Sequence, residues 1–187
     1  MTTSQKLLTA EEYAALPDSV APRWSELIRG VICAHETPPA SDHGWIASKI
    51  AYLLLEFVAP RKLGAVFDDP GFVLERDPDT VRAPDVSYVR AERVSGENMR
   101  SFLDGAADLA VEIKSKSNRK RKMAEKIAQY LSTGARLVWY VDPDRKTITV
   151  YRPQHDPVVL SEGDRLSGYD VLPGLTALLP KYLAVTG

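Results

Sequence analysis

Residues 109–151, LAVEIKSKSNRKRKMAEKIAQYLSTGARLVWYVDPDRKTITVY, contain the pattern that decides the fold. The apolar runs at 109–115 and 137–141 predict strands, and the second is apolar enough to be covered on both faces. Between them, residues 118–132 predict a helix that ends near a glycine. The apolar face of this helix consists of Met123, Ile127, Tyr130 and Leu131. An Asp-Pro-Asp turn then leads into a strand at 147–151, which forms a hairpin with the strand before it.

The residues before and after this stretch predict further strands and helices. Segments 24–28 and 31–35 predict a β-hairpin. A helix is expected from Ser41 or Asp42 until Pro60 ends it. Additional strands are predicted at residues 65–67, 72–74, 85–89 and 158–160, and short helices after Thr9 and at residues 175–179. This order predicts a mixed β-sheet flanked by helices, of α/β or α+β type.

The bulk composition limits the classes of function. With 187 residues, 44% of them hydrophobic, the chain is expected to form a single domain over residues 1–187, with its core at about 7–175. The net charge of −1 excludes a global attraction to nucleic acid, so any such attraction must be local. Cys33 is the only cysteine, which excludes an intramolecular disulfide and a cysteine zinc site. We expect a cytoplasmic protein without a membrane partner, because no apolar stretch suits a signal peptide or a membrane span.

Three charged residues in or beside the predicted strands point to chemistry. Asp85 leads an apolar run, Glu112 lies inside another, and Lys114 follows at the same-face spacing of a strand. We therefore expect Glu112 and Lys114 to sit side by side, with Asp85 in reach if its strand is a neighbour. Two carboxylates bind a hard divalent cation and an ammonium group stabilises a phosphate, so the trio suits metal-assisted phosphodiester cleavage. The structural alternatives are a strand-edge acid at Asp85 and a salt bridge between Glu112 and Lys114.

Four blocks of sequence occur together in an order typical of one family. They are WSELIRGVI at 24–32, SDHGWIASKI at 41–50, APDVSYV at 83–89 and the run from 109 to 152. On these blocks the chain resembles the Uma-type family of putative restriction endonucleases over residues 7–175. That family is similar to the PD-(D/E)XK nucleases. The resemblance implies a nuclease-like domain with a restriction-endonuclease-like core, in which a mixed sheet lies between helices and a magnesium site lies at one end of the central strands.

The resemblance also implies roles for particular residues. It implies Asp85 and Glu112 as metal ligands that act in catalysis. The backbone carbonyl of Ile113 would complete the metal site, and Glu26 is a further acid that could join it. The expected cofactor is Mg²⁺, for which Mn²⁺ can substitute.

Two lysines can supply the catalytic ammonium group of such a site. Lys114 shares a strand face with Glu112, whereas many members of the family have an apolar or neutral residue there and place the lysine on the next helix. Lys126 matches that helical position and lies beside the apolar stripe, at i+3 from Met123. The strand geometry favours Lys114, with Lys126 as the alternative.

A basic cluster follows Glu112 directly. The residues expected to contact nucleic acid are Lys116, Arg119, Lys120 and Lys122. Such a cluster can follow the phosphates beside a metal site, although a solvated helix face produces the same pattern. Gln129 is a further candidate, because a helix glutamine can touch substrate in related nucleases, with a solvated helix residue as the alternative. His43, at the expected start of a helix, could face the site, with a capping or surface residue as the alternative.

Together these observations predict a metal-dependent endonuclease that hydrolyses phosphodiester bonds in DNA. A homodimer would suit the cutting of both strands, because it supplies two sites. The first alternative is a non-catalytic nucleic-acid-binding or assembly module on the same fold. The second is an enzyme that acts on another phosphorylated substrate. DNA binding that persists in EDTA and without Glu112 would favour the binding module over the nuclease.

Overall fold

The structure, a computed structural model, describes residues 6–22, 24–34, 40–96, 100–115 and 120–179. Within these residues the α-helices are α1 (Ala10–Ala14), α2 (Ser41–Arg61) and α3 (Lys120–Ser132), and a short 3-10 helix spans Ala91–Arg93. The strands up to the centre of the chain are β1 (Ser25–Ile28), β2 (Val31–Ala34), β3 (Gly64–Asp68), β4 (Phe72–Glu75), β5 (Thr80–Arg82), β6 (Val86–Arg90) and β7 (Leu103–Asp104). They are followed by β8 (Leu109–Ile113), β9 (Leu137–Asp142), β10 (Thr147–Tyr151), β11 (Val158–Leu160), β12 (Arg165–Ser167) and β13 (Thr176–Leu178).

The central sheet has six strands in the order β11-β10-β9-β8-β6-β3. Strands β8 and β9 are parallel, with Glu112 opposite Tyr140, and the other pairs are antiparallel. In the β6–β8 pair, Val86 lies opposite Val111. Asp85 immediately precedes β6 and therefore reaches the same end of the sheet as Glu112. The predicted mixed α+β fold is confirmed.

Helices α2 and α3 cover opposite faces of the central sheet. Successive side chains of a strand point to opposite faces, and β8 follows this rule. Val111 packs in the cluster that contains Ile50 of α2, whereas Ala110 packs with Ile127 of α3. Glu112 has the same parity as Ala110, so its carboxylate is directed towards α3, where it is almost fully buried.

A second sheet has five strands in the order β2-β1-β5-β4-β7, with β4 and β7 parallel. Phe72 of β4 packs in the same cluster as Met123 of α3. Leu27 and Val81 form a smaller cluster with Tyr13 of α1. Helix α3 therefore packs against strands of both sheets, and strand β1 carries its side chains close to the end of β8.

Two sequence-based predictions about elements were wrong. Residues 175–179 were expected to form a helix, but β13 pairs with β12 there, and Ala177 alone of the three strand residues is buried. Helix α2 does not stop before Pro60 but continues to Arg61. Pro60 removes one backbone hydrogen bond, its own to the carbonyl group four residues earlier, and the helix ends one residue after it. Its C-terminal cap is Lys62, whose left-handed backbone (φ 54°) lets its N–H bond the carbonyl oxygens of Ala59 and Val58.

The predicted hairpin of β1 and β2, the capped helix α1 and the strands at β3, β4, β6 and β8 to β11 are confirmed within one to three residues at each end. Among the described residues, no helix combines the length and apolar character needed to cross a membrane.

Candidate active site

The centre of the site is the carboxylate of Glu112, in the penultimate position of β8. Its side chain is 4% exposed. The phenol of Tyr130 donates a hydrogen bond of 2.8 Å to Oε1, and Nζ of Lys126 lies 2.7 Å from the same oxygen. Both partners come from α3, where positions i and i+4 lie one above the other on a single face. The helical spacing thus brings two donors to one carboxylate oxygen.

The ammonium group of Lys126 also contacts a second acid. Its Nζ lies 3.0 Å from Oε1 of Glu26 and donates a hydrogen bond of 3.2 Å to the carbonyl oxygen of Ala83. Glu26 is on β1 of the five-stranded sheet, and Ala83 lies in the short connection between β5 and β6. Lys126 therefore sits between the acids of two different sheets, with its side chain 12% exposed.

Glu26 is held by further donors on its own side of the site. Nη1 of Arg82 donates to Oε2 at 2.8 Å, and the backbone N–H of Ala83 donates to Oε1 at 3.2 Å. The Nε of Arg82 donates to Oε1 of Gln129 at 2.9 Å. Gln129, expected from the sequence to contact substrate, therefore bonds a partly buried guanidinium group.

Asp85 lies on the other side of Glu112. Its Oδ2 accepts a hydrogen bond of 2.6 Å from the backbone N–H of Ile113. The Nε2 of His43, in the first turn of α2, lies 3.3 Å from the same oxygen. The structure thus places His43, a candidate from the sequence, against Asp85, with the His43 side chain 13% exposed.

Lys114 has different partners from those expected. Its Nζ lies 3.0 Å from Oδ2 of Asp142 and 3.0 Å from Oδ2 of Asp144. In the parallel register of β8 and β9, Ile113 lies opposite Val141. The residues that follow them, Lys114 and Asp142, are therefore neighbours, and Lys114 contacts Asp142 instead of Glu112. Lys126, not Lys114, makes the ammonium contact with Glu112. Which lysine acts in catalysis stays a prediction.

The charges in the site change its titration. Burial raises the pKa of Glu112 to about 7, and repulsion from Asp85 and Glu26 adds to the rise. The positive charge of Lys126 lowers the same pKa but does not outweigh them. The pKa of Glu26 falls to about 2, because the attraction of Lys126 and Arg82 outweighs burial. The same acids hold the pKa of Lys126 above its ordinary value despite its burial. At neutral pH, Lys126 and Glu26 are charged and Glu112 is close to its midpoint.

The pKa of His43 is also raised. Burial alone would lower it, but the hydrogen bond and charge of Asp85 outweigh burial, and Glu112 and Asp42 add to the effect. A protonated imidazole beside Asp85 adds positive charge at the edge of the site.

The oxygen donors fit a hard divalent cation. Among the described residues, Oδ1 of Asp85 and Oε2 of Glu112 accept no hydrogen bond, so each carboxylate keeps an oxygen for a ligand. Asp85 is also close enough to raise the pKa of Glu112, as expected of acids that share a cation. Both oxygens of Glu26 are engaged. In the part of the chain that the structure describes, no group of three or more His, Cys, Asp or Glu is arranged to hold a metal ion, so the protein would contribute two carboxylates and a backbone carbonyl.

The expected basic surface is described in part. Lys116 and Arg119 lie outside the described residues. Lys120 and Lys122 are exposed in the first turn of α3, and Arg121 between them pairs with Glu125 at 2.8 Å. The first turn of α3 thus presents positive charge to solvent.

Sequence reasoning missed two contributors to the site. Tyr130 was assigned to the apolar face of its helix, and it does pack in the core, but its hydroxyl group reaches Glu112. Arg82 was not singled out, because the strand β5 that carries it was not predicted. The i+4 spacing from Lys126 to Tyr130 was the available indication for the first of these.

Comparisons with known proteins agree with this fold. A family model, Uma2, described as "Putative restriction endonuclease", matches residues 10–186. A crystal structure described as that of a putative nuclease belonging to DUF820, from Anabaena variabilis ATCC 29413, superimposes with a TM-score of 0.79. It shares 24% sequence identity, and the match covers 94% of this chain and 97% of that one, a likeness that shows the fold. None of the curated proteins matches this chain.

Proposed function

Because this chain belongs to the Uma2 family, described as "Putative restriction endonuclease", we propose that it is a metal-dependent endonuclease that hydrolyses phosphodiester bonds in DNA. The observation that carries the proposal is the buried contact of 2.7 Å between Lys126 and Glu112, beside Asp85. Two acids, each with an oxygen that no described residue bonds, and one fixed ammonium group suit the hydrolysis of a phosphodiester.

Asp85, Glu112 and the backbone carbonyl of Ile113 would hold Mg²⁺, or Mn²⁺ in its place. When bound, the metal makes a water more acidic and offsets the charge that develops on the phosphate. The N–H of Ile113 fixes Asp85 through its bond of 2.6 Å, and Tyr130 fixes Glu112 through its bond of 2.8 Å. Both acids are therefore oriented by groups of the protein.

Lys126 is the lysine of the proposed mechanism. Its ammonium group is desolvated, charged and held at three oxygens, so little reorganisation is needed when negative charge develops nearby. It orients the attacking water or stabilises the charge on phosphorus. Lys114 lies in a separate contact with Asp142 and Asp144, which supports a structural role for that lysine.

DNA would approach along the first turn of α3. Lys120 and Lys122 are exposed there and would contact backbone phosphates on one side of the site. The imidazole of His43, whose pKa is raised by Asp85 against the effect of burial, would contact the phosphate from the α2 side.

The test is cleavage of supercoiled plasmid, single-stranded DNA and structured RNA with Mg²⁺, with Mn²⁺ and with EDTA. The wild type is compared with Glu112→Gln and with Glu125→Gln, which changes an exposed glutamate of the same region. We expect metal-dependent cutting of DNA by the wild type and Glu125→Gln and none by Glu112→Gln. DNA binding that persists in EDTA, without cutting above the Glu112→Gln background, would favour a non-catalytic binding module.

A further inference from the structure

Glu26 is placed unlike a metal ligand. It is 7% exposed, and its two oxygens receive three donors: Nζ of Lys126 at 3.0 Å, the N–H of Ala83 at 3.2 Å and Nη1 of Arg82 at 2.8 Å. Two of these donors are cations. A divalent ion at the same carboxylate would have to displace a buried ammonium or guanidinium group, which costs far more than the loss of an exposed contact.

The donors around Glu26 are themselves cross-linked. Arg82 bonds Gln129 of α3, one turn beyond Lys126. Both backbone polar groups of Ala83 take part, since its N–H donates to Glu26 and its carbonyl oxygen accepts from Lys126. Glu26 thus connects strand β1, the β5–β6 connection and helix α3 at the point where the ammonium group of Lys126 turns towards Glu112.

We infer that Glu26 is a positioning residue, whose carboxylate, anchored by Arg82 and Ala83, holds the ammonium group of Lys126 against Glu112. The inference rests on the proposed function for its meaning in catalysis, but the placement of Lys126 is a property of the protein alone. It replaces the expectation of a third metal ligand, because the carboxylate acts on the lysine and not on the cation.

The arrangement has a physical reason. Lys126 is a flexible side chain with a strongly hydrated charge, and Glu112 alone would have to compensate for its burial. A second, ionised carboxylate on the opposite side helps to compensate for the desolvation of the ammonium group and fixes the direction of Nζ. The guanidinium group of Arg82 in turn balances Glu26, so the chain Arg82–Glu26–Lys126–Glu112 alternates in charge.

The first measurement is the binding of Mn²⁺ by isothermal titration calorimetry. Glu26→Gln preserves the shape of the side chain and removes its charge, and Asp85→Asn makes the same change at a proposed ligand. We expect the Mn²⁺ affinity of Glu26→Gln to stay within about 2-fold of the wild type and that of Asp85→Asn to fall by about 10-fold to 100-fold. An equal fall in both variants would overturn the inference, because Glu26 would then act as a ligand.

The second measurement is independent of metal and of activity. In metal-free protein with ¹³Cε-labelled lysine, an immobilised Lys126 gives two separate ε-proton signals, assigned by their loss in Lys126→Met. We expect these signals to merge in Glu26→Gln and to stay separate, at least in part, in Glu26→Asp, which keeps the charge. Unchanged separate signals in Glu26→Gln would overturn the inference. As a control, a single thermal unfolding transition in each variant shows that the fold is intact.

Cleavage of supercoiled plasmid completes the test. We expect kcat of Glu26→Gln to fall by about 10-fold to 100-fold with KM nearly unchanged, and Glu26→Asp to recover part of the loss. If the wild type neither binds Mn²⁺ nor cuts DNA, the proposed function fails. The lysine signals then still decide whether Glu26 holds Lys126.

Discussion

The ammonium group of Lys126 lies 2.7 Å from Oε1 of Glu112, in a pair of which neither side chain is more than 12% exposed. A buried ion pair adds little to stability, since apolar residues of similar volume often do as well, whereas removal of one partner costs about 3–5 kcal/mol. A buried ion pair that stability does not require indicates a role in the chemistry of the site. Within the described part of the chain, Oε2 of Glu112 and Oδ1 of Asp85 accept no hydrogen bond, which supports that interpretation.

The choice between the two lysines can be tested directly. We expect Lys126→Met to lower the rate of plasmid cleavage by at least about 100-fold, because the proposed mechanism places this desolvated ammonium group at the reacting phosphate. Lys114→Met is the matched control, and we expect it to stay within a few-fold of the wild type, since Lys114 contacts Asp142 and Asp144. The opposite result would return the catalytic role to Lys114, as the strand geometry suggested.

Metal binding should be visible in thermal unfolding. We expect Mg²⁺ at about 100-fold above its Kd to stabilise the protein by about 2.7 kcal/mol, which corresponds to about 5–10 °C in Tm. Glu112→Gln and Asp85→Asn should lose this shift, because each removes a carboxylate oxygen that accepts no hydrogen bond from the residues that the structure describes. If Mg²⁺ and Mn²⁺ leave the wild-type melting curve unmoved while Asp85→Asn lowers it strongly, the acids are structural.

The raised pKa of Glu112 predicts how stability depends on pH without metal. Its pKa is 4.5 as a free side chain and about 7 in the fold, so the folded state binds the proton more tightly. This contribution, about 3 kcal/mol, is fully present below pH 4.5 and is lost as the pH rises through 7. Urea unfolding in EDTA should therefore show lower stability at pH 8 than at pH 5.

Glu112→Gln is the control for this pH dependence. Glutamine does not titrate, so stability should fall much less between pH 5 and pH 8 in the variant than in the wild type. The fall that remains is that of His43, whose raised pKa acts in the same direction. Glu26 does not interfere, because its pKa is lowered to about 2 and its contribution changes only below its ordinary value of 4.5. A slope as steep in Glu112→Gln as in the wild type would contradict the assignment to this carboxylate.

The long elements were predictable from sequence because their periodic pattern extends over several turns. The apolar stripes of α2 and α3 and the apolar runs of β8 and β9 fall into this class. Strands β5, β7 and β12 have two or three residues, too few to show an alternation. Residues 175–179 have apolar side chains at helical spacing, and only the pairing with β12 makes them a strand.

The proximity of the two candidate acids was predictable from sequence. Asp85 and Glu112 were expected to be close if their strands were neighbours, and the adjacency of β6 and β8 brings them together. The same-face rule did not identify the partner of Lys114, because it says nothing about the neighbouring strand, where Asp142 is closer. The contact of Lys126 with Glu112 depends on how α3 packs on the sheet, which is a tertiary property.

The hydroxyl group of Tyr130 should contribute to stability through Glu112 alone. Its ring is packed in the core and its O–H donates at 2.8 Å, so Tyr130→Phe removes one hydrogen bond and leaves the packing intact. We expect the free energy of unfolding at pH 8 to fall by about 1–3 kcal/mol, because the acceptor is a buried carboxylate. In the Glu112→Gln background the same change should cost less, and equal costs in both backgrounds would show that the hydroxyl does not act through Glu112.

The exposed lysines of α3 should determine the salt dependence of DNA binding. Each phosphate contact releases counterions, so Lys120→Ala with Lys122→Ala should lower the slope of log Kd against log salt concentration by about 1–2. Arg121→Ala is the matched control in the same turn, and its effect should be smaller because Arg121 pairs with Glu125. Fluorescence anisotropy with a labelled duplex in EDTA measures binding apart from cleavage. Equal slopes for the double variant and the wild type would place the phosphates elsewhere on the protein.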